Sequence, residues 1–149
     1  MRQPYQTLTI LYRKAGEKVS YCVFLRNYHH IWQFISGGGE EGENLVDTVI
    51  REIKEETSLI VNKAGIIKLD TQTSIPVINV TGQYTWGEDV YVIPEYTFAV
   101  NVKVDNIKLS DEHKEYRWTE FEEAMKLLKF DSNKTALIEL NEKLKRGSI

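Results

Sequence analysis

The sequence predicts an α/β fold in which helices cover both faces of a mixed β-sheet. Three observations favour it. Short segments rich in β-branched and aromatic residues open the chain, an amphipathic helix follows them, and two further helices close the chain after another strand. The 149 residues contain no internal repeat and no Pro- or Gly-rich linker, so we expect a single domain over residues 1–149.

The first predicted element is a β-hairpin formed by residues 7–12 and 19–26. The segment "RKAGEK" lies between them, and its glycine suits a tight turn. Cys22, the only cysteine, lies in the second strand, where a buried thiol is expected. A lone cysteine excludes a disulfide framework and favours a reducing, cytoplasmic setting.

A longer strand is predicted within residues 90–104. Apolar side chains occupy its even positions, namely Val90, Val92, Pro94, Tyr96, Phe98, Val100, Val102 and Val104. Polar side chains occupy several odd ones, including Glu95, Thr97, Asn101 and Lys103. This alternation predicts one buried and one polar face. Because Pro94 cannot donate to a ladder, the strand should begin after it or have an edge there.

Helical periodicity predicts three helices. In the first, the apolar stripe consists of Val46, Val49, Ile50 and Ile53. In the second, "TEFE" at residues 119–122 has the spacing of a capping box, followed by the inward-facing Phe121, Ala124, Leu127 and Leu128. The third covers about residues 133–145, with Leu137, Leu140 and Leu144 on its apolar side.

Three glutamates lie on adjacent turns of the first predicted helix, in the stretch "REIKEE" at residues 51–56. Glu52, Glu55 and Glu56 cluster on one side and flank the apolar stripe. Like charges at this spacing repel by a few tenths of a kcal/mol per pair. A bound divalent cation would reverse that sign, and carboxylates suit Mg²⁺ or Mn²⁺ completed by water and a substrate phosphate. The alternative is a solvated, Glu-rich surface.

The surrounding residues favour the metal site. Gly37, Glu43, Arg51-Glu52, Ile53, Glu55-Glu56 and Leu59 follow the spacing G-x5-E-x7-R-E-U-x-E-E-x-G-U, where U is apolar. This pattern resembles the box of the Nudix hydrolase family at every defined position but one, and the fold implied is a Nudix-like α/β/α sandwich. The exception is Ser58, where the family has a glycine. That glycine would supply a left-handed helix cap, which costs a serine about 1 kcal/mol.

The resemblance implies roles for these residues. Glu52, Glu55, Glu56 and the Gly37 carbonyl would hold Mg²⁺ (or Mn²⁺), which implies hydrolysis of a diphosphate by an in-line water. Arg51 would orient the carboxylates, and Glu43 would brace Arg51 and the glycine-rich loop at residues 36–43. Glu55 is the first choice for the general base.

Glu112 is the second choice for the base and an additional metal ligand. It lies in "DEHKEYRWTEFEEA", predicted as a loop before a short strand, and a solvated turn is the alternative reading. This stretch resembles asymmetrical diadenosine tetraphosphate hydrolases. "WQFISGGGEEGEN" and "FDSNKTAL" resemble dihydroneopterin triphosphate pyrophosphatases, which also act on some nucleoside triphosphates. The resemblance to the dihydroneopterin triphosphate pyrophosphatases is favoured, because the diadenosine tetraphosphate hydrolases have a different sequence at the start of the box.

The substrate ring needs a stacking surface, and "QYTWGEDVY" at residues 83–91 offers Tyr84, Trp86 and Tyr91, unless they merely cover the sheet. Arg26, predicted at a strand end, could meet a phosphate or simply be exposed. Ser36 and Gly38 in the glycine-rich loop are further expected substrate contacts.

The composition narrows the partners. A net charge of −3 without a basic run argues against nucleic acid and membrane binding, and no apolar run could span a membrane. The expected partner is a nucleoside or pterin polyphosphate, bound by a monomer or a homodimer. A Nudix module that senses nucleotides without cleaving them is the rival class, disfavoured because such modules usually lose box carboxylates.

Overall fold

The structure is a computed structural model and describes residues 1–103 and 106–149. Within them, the strands are β1 Arg2–Ala15, β2 Lys18–Arg26, β3 Trp32–Gln33, β4 Ile35–Glu40, β5 Ile66–Pro76, β6 Val92–Asn101 and β7 His113–Thr119. The helices are α1 Leu45–Thr57, α2 Val77–Thr81, α3 Phe121–Leu127 and α4 Asp131–Lys145, with a 3₁₀ turn at Lys63–Gly65. Val104, assigned to the long strand from the sequence, lies outside the described residues.

The predicted hairpin is confirmed by β1 and β2. They pair antiparallel from Tyr12 opposite Tyr21 to Ala15 opposite Lys18, and Gly16 turns between them with φ of 65°. Strand β1 begins at Arg2, earlier than the sequence predicts, because its first half pairs with β4 on one side and with β6 on the other.

Strand β6 lies between β1, to which it is parallel, and the antiparallel β5. Both of its edges are therefore paired. The predicted polar face is wrong for Glu95, which is 3% exposed, and for Thr97, which is 0% exposed, whereas Asn101 and Lys103 are exposed as predicted. The edge predicted at Pro94 is confirmed on one side, since Pro94 is opposite Ser74 of β5 while the pairing with β1 starts at Glu95.

The prediction of a glycine-rich loop at residues 36–43 is wrong for its first part, because Ile35–Glu40 forms β4 and pairs with the first half of β1. Its glycines lack the Cβ atoms that would collide with side chains lying over the strand: Glu52 over Gly37, Arg2 over Gly38 and Tyr5 over Gly39. The glycines therefore admit other side chains to the surface of a regular strand.

The helices cover both faces of the sheet, as predicted. Val49 and Ile53 of α1 pack with Leu11 and Phe98 on one face. Helices α3 and α4 pack on Leu8, Ile10, Tyr12 and Ala99, which point to the other face because successive strand residues alternate. Among the described residues, no helix is long and apolar enough to cross a membrane.

The predicted capping box of α3 is wrong. Thr119 ends β7, and its hydroxyl donates to the Tyr21 carbonyl at 3.3 Å, while Glu120 precedes the helix without a side-chain cap. The inward positions of α3 and α4 are confirmed, with Ala124, Leu137 and Leu140 fully buried. Helix α4 begins slightly earlier than predicted, at Asp131.

Candidate active site

A cleft of about 1110 Å³ opens beside α1 and β4. It brings together the sequence-predicted residues Arg26, Ser36, Gly37, Gly38, Arg51, Glu52, Glu55 and Glu112. Glu43 lies behind the lining residue Arg51, from which it accepts hydrogen bonds, and Glu56 interacts with the lining residue Glu112. The residues of the box thus occur in one place.

Helix α1 is fixed at both ends, which sets the direction of its glutamates. Asn44 and Asp47 form a reciprocal capping box, in which the Asp47 amide donates to the Asn44 side chain at 2.8 Å and the Asn44 amide donates to Asp47 at 3.2 Å. At the other end, Ser58 has φ of 66° and ψ of 8°, and its amide donates to the Lys54 carbonyl at 2.9 Å. Ser58 thus adopts the left-handed conformation that the family's glycine would supply, and the helix ends there.

Arg51 connects the helix to the glycine-rich segment. Its Nε and Nη2 donate to the two carboxylate oxygens of Glu43 at 2.6 and 3.0 Å, and Nη2 also donates to the Gly38 carbonyl at 2.7 Å. Its Nη1 donates to Glu52 at 2.9 Å and to Glu55 at 3.3 Å. One guanidinium thus orients three carboxylates and a strand carbonyl.

Glu43 in turn braces the chain before α1. Its Oε1 accepts hydrogen bonds from the Glu40 amide at 2.9 Å and from the Thr48 hydroxyl at 3.0 Å. The hydrogen bond from Arg51, reinforced by these donors, lowers the pKa of Glu43 to about 2. Glu43 therefore remains charged at neutral pH and holds the Arg51 fork.

The sequence predicts that Glu52, Glu55 and Glu56 flank the buried face of α1, but two of them are part of that face. Glu52 is 8% exposed and Glu56 is 3% exposed, whereas Glu55 is exposed. Strand β4 covers Glu52, whose carboxylate lies against Gly37. Burial raises the pKa of Glu52 to about 7, although Arg51 opposes that rise. A buried carboxylate of this kind favours a nearby positive charge.

Glu56 is covered by the segment that begins β7. His113 Nδ1 lies 2.7 Å from Glu56 Oε2, which also accepts a hydrogen bond from the Ser110 hydroxyl at 2.9 Å. Burial alone would raise the pKa of Glu56, but the hydrogen bonds from His113 and Ser110 lower it. Burial and the neighbouring Glu56 raise the pKa of Glu112. Sequence reasoning missed His113, since a histidine on a strand gives no sign of its partner.

The donor set fits a hard divalent cation. Among residues 1–103 and 106–149, no three His, Cys, Asp or Glu side chains converge on one point. Arg51 pairs with Glu52 and Glu55, and His113 pairs with Glu56. All the available ligands are nonetheless oxygens, which Mg²⁺ and Mn²⁺ prefer. The bare backbone of Gly37 also leaves room for a carboxylate beside a strand carbonyl.

The three predicted aromatic contacts lie elsewhere. Tyr84 and Tyr91 pack edge to face with ring centroids 6.1 Å apart, and Trp86 Nε1 donates to the Arg2 carbonyl at 2.9 Å. None of the three belongs to the cleft lining drawn from residues 1–103 and 106–149. Trp86 instead ties this loop to the start of β1, and ring stacking by these residues stays a prediction.

Several cleft residues escaped sequence reasoning, above all a polar row across the sheet. Gln6 of β1 is paired with Gly38 of β4 and with Glu95 of β6, and Glu95 is paired with Thr73 of β5. Gln6, Thr73 and Glu95 all line the cleft. The only sequence signal was a glutamate in an apolar strand, and the row depends on pairings between distant segments.

Comparisons with known proteins agree with this geometry. A sequence model of the NUDIX domain matches residues 3–140. The mouse asymmetrical bis(5'-nucleosyl)-tetraphosphatase is 32% identical over 74% of this chain and 69% of its own. Dihydroneopterin triphosphate diphosphatase of Escherichia coli is 25% identical over 91% of each chain. A Listeria monocytogenes structure named as a Nudix hydrolase superposes with a TM-score of 0.85 at 39% identity, covering 97% of both chains.

Proposed function

Because the chain belongs to the Nudix family and is a hydrolase of phosphoric anhydrides, we propose that it cleaves a nucleoside-triphosphate-like substrate with release of pyrophosphate. Dihydroneopterin triphosphate or a (deoxy)nucleoside triphosphate is the first candidate, and Mg²⁺ or Mn²⁺ is the proposed ion. The match over residues 3–140 supports a single Nudix domain.

The observation that carries this proposal is the contact set of Arg51. Arg51 contacts Glu43, Glu52, Glu55 and the Gly38 carbonyl at one end of an open cleft. These contacts hold several acidic groups side by side, as a site that binds a cation and a phosphate requires.

We assign the ion-holding role to Glu52, Glu55, Glu56 and the Gly37 carbonyl, with Glu112 at the rim. When bound, the ion would neutralise charge on the phosphates and lower the pKa of a water. Arg51 keeps the carboxylates oriented while the substrate enters, and Arg26, Ser36 and Gly38 are proposed to contact the phosphates.

A carboxylate of this chain must accept the proton of the attacking water. Glu55 is the proposed base because it is exposed, lines the cleft and is held only by the longer contact to Arg51. Glu112 is the alternative, because it also lines the cleft. Its interaction with Glu56 would make it depend on the ionisation of that neighbour.

Two observations favour different substrates. The alignment with the Escherichia coli relative extends over nearly the whole of both chains, which supports dihydroneopterin triphosphate. The higher identity of the mouse relative supports diadenosine tetraphosphate as the second candidate. A nucleotide sensor without hydrolysis is a third, and the intact box carboxylates argue against it.

A hydrolysis panel tests the proposal. Wild type would be incubated with Mg²⁺ and dihydroneopterin triphosphate, dATP, diadenosine tetraphosphate or ADP-ribose, with products separated by chromatography. We expect pyrophosphate from dihydroneopterin triphosphate as the preferred reaction. ATP and AMP from diadenosine tetraphosphate would promote the second candidate, and tight binding without turnover would promote the sensor.

Variants then assign the reaction to this cleft. Glu55→Gln and Glu56→Gln keep the side-chain shape but remove a negative charge, so both should fold and lose most of the hydrolysis. Glu122→Gln on the exposed side of α3 is the matched control and should retain wild-type rates. Wild-type activity in both site variants would refute the assignment.

A further inference from the structure

We propose that Glu95 selects the ring of the substrate by accepting hydrogen bonds from two adjacent N–H groups, the pattern that 2-amino-4-oxo rings such as pterin and guanine present. This inference rests on the proposed function, since it requires the phosphates to occupy the Arg51 end of the cleft. It goes further by naming the residue and the ring chemistry that decide between substrates.

The position of Glu95 follows from strand register. Gly38, Gln6, Glu95 and Thr73 are neighbours in one row across β4, β1, β6 and β5. Adjacent strands are about 4.8 Å apart, so the backbone of Glu95 lies roughly 10 Å from that of Gly38. The Gly38 carbonyl accepts from Arg51. A nucleotide or pterin triphosphate has a comparable span between its first phosphate and the far edge of its ring.

The hydrogen bonds around Glu95 leave it as an acceptor. Gln6 Nε2 donates to one carboxylate oxygen at 3.1 Å, and the Thr73 hydroxyl donates to the other at 3.4 Å. The Gln6 amide is itself oriented, because its oxygen accepts from Arg2 Nη2 at 2.9 Å. Each carboxylate oxygen can accept a further hydrogen bond, so the pair matches two neighbouring donors.

Glu95 is also placed to meet a ligand. It is only 3% exposed, yet it lines the cleft, so a group that enters the cleft can reach it away from bulk water. Burial raises the pKa of Glu95, and the hydrogen bonds from Gln6 and Thr73 oppose that rise. Two N–H donors from a ring would add to this opposition and favour the ionised form.

Ring chemistry makes the choice selective. Guanine and pterin present a ring N–H beside an amino group, so both carboxylate oxygens accept. Adenine presents an amino group beside a bare ring nitrogen, whose lone pair would face a carboxylate oxygen. Leaving a buried acceptor unpaired costs more free energy than losing an apolar contact. Glu95 should therefore disfavour adenine as well as favour guanine and pterin.

Phe130 offers a contrast within the same cleft. It is 40% exposed and lines the cleft, so its ring can contact any flat heterocycle. An apolar face does not distinguish guanine from adenine. Phe130 should therefore contribute affinity without selectivity, which makes it a matched comparison for Glu95.

Equilibrium binding separates this inference from catalysis. We would titrate wild type, Glu95→Gln and Phe130→Ala with the α,β-methylene analogues of dGTP and dATP in Mg²⁺ by calorimetry. Wild type should prefer the guanine analogue about tenfold or more. Glu95→Gln, which replaces one acceptor by a donor, should abolish that ratio, while Phe130→Ala should weaken both analogues and keep it.

Thr73→Val provides a second variant if Glu95→Gln does not fold, and it should reduce the ratio severalfold by removing one donor that orients Glu95. An unchanged ratio in Glu95→Gln and Thr73→Val, equal binding of both analogues by wild type, or binding of neither analogue overturns the inference. If wild type hydrolyses its substrate but Glu95→Gln keeps the affinity ratio of the two analogues, only the ring assignment is refuted. A ratio change without hydrolysis would refute only the proposed enzyme activity.

Discussion

At the scale of single residues, the site depends on how closely a carboxylate approaches a strand. The carboxylate of Glu52 lies over the backbone of Gly37, where any Cβ would meet it. The end of a glutamate side chain can move, whereas a strand in a paired sheet cannot. A methyl group at Gly37 should therefore displace the carboxylate and leave the fold intact.

Gly37→Ala should accordingly lower hydrolysis by about 100-fold, since misplacing one catalytic group by about 1 Å has an effect of that order. The rate with the preferred substrate and the circular dichroism spectrum would be compared with those of wild type. Gly65→Ala is the matched control, because its φ is not positive and nothing lies within 4 Å of the added Cβ. Normal activity in Gly37→Ala would show that the position of Glu52 is unimportant.

At the scale of elements, the end of α1 carries strain that the family's glycine would remove. Ser58 adopts φ of 66°, which disfavours a residue with a Cβ, and its hydroxyl makes only a 3.4 Å contact to the Lys108 carbonyl. Ser58→Gly should raise the free energy of unfolding by about 0.5 kcal/mol, partly offset by the freer unfolded chain. Urea denaturation would measure it.

The converse substitution supplies the comparison for that prediction. Gly82 caps α2 with φ of 76°, and nothing lies within 4 Å of an added Cβ. Gly82→Ala should therefore destabilise by about 1 kcal/mol through backbone strain alone. If Ser58→Gly destabilised the protein as well, the contact to Lys108 would outweigh the strain.

Glu139 of α4 accepts hydrogen bonds from β5, and these contacts make the free energy of unfolding depend on pH. The Asp70 and Thr71 amides donate to its carboxylate at 2.6 and 2.8 Å, and Lys143 lies at 2.9 Å. Burial alone would raise the pKa of Glu139, but these donors lower it to about 2 from 4.5. A folded-state pKa below the unfolded value stabilises the protein above pH 4.5, and this contribution is lost as pH falls towards 2.

Glu139→Gln should thus lower the free energy of unfolding by about 2 to 3 kcal/mol at pH 7, and by much less at pH 3. Denaturation curves at both pH values would measure the difference. Glu122→Gln, at an exposed position on α3, should show no comparable change at either pH. A loss in Glu139→Gln that is equal at both pH values would mean that packing, not charge, holds α4.

At the scale of the whole molecule, local patterns predicted the hairpin, the three longer helices and the acidic side of α1, because each depends on nearby residues. The burial of Glu52 and Glu56 could not be predicted, since the segments covering them come from elsewhere in the chain. The same holds for Glu95. A glutamate in an alternating strand predicts a solvent-facing position, but Gln6 on β1 and Thr73 on β5 flank the Glu95 side chain and hydrogen-bond to it.

The proposed ion site predicts that metal binding raises the stability of the whole molecule through the buried acidic groups of α1. Glu52 and Glu56 keep carboxylates out of water, and a divalent cation that binds only the folded state would stabilise it through them. At a hundred times the dissociation constant this amounts to about 2.7 kcal/mol, or a rise in Tm of roughly 5 to 10 °C for a chain of this size.

Thermal denaturation with Mg²⁺ or Mn²⁺, against NaCl of equal ionic strength, would measure this coupling without any substrate. Wild type and Glu122→Gln should show the rise in Tm, and chelation should abolish it. Glu52→Gln and Glu56→Gln should both show little response to metal. Without metal, the Tm of Glu52→Gln should change little or even increase, because burial penalises the charge of Glu52. The Tm of Glu56→Gln should fall, because its ionised carboxylate is stabilised by the hydrogen bonds from His113 and Ser110. A full metal response in both variants would place the ion elsewhere and remove the physical reason for burying carboxylates on α1.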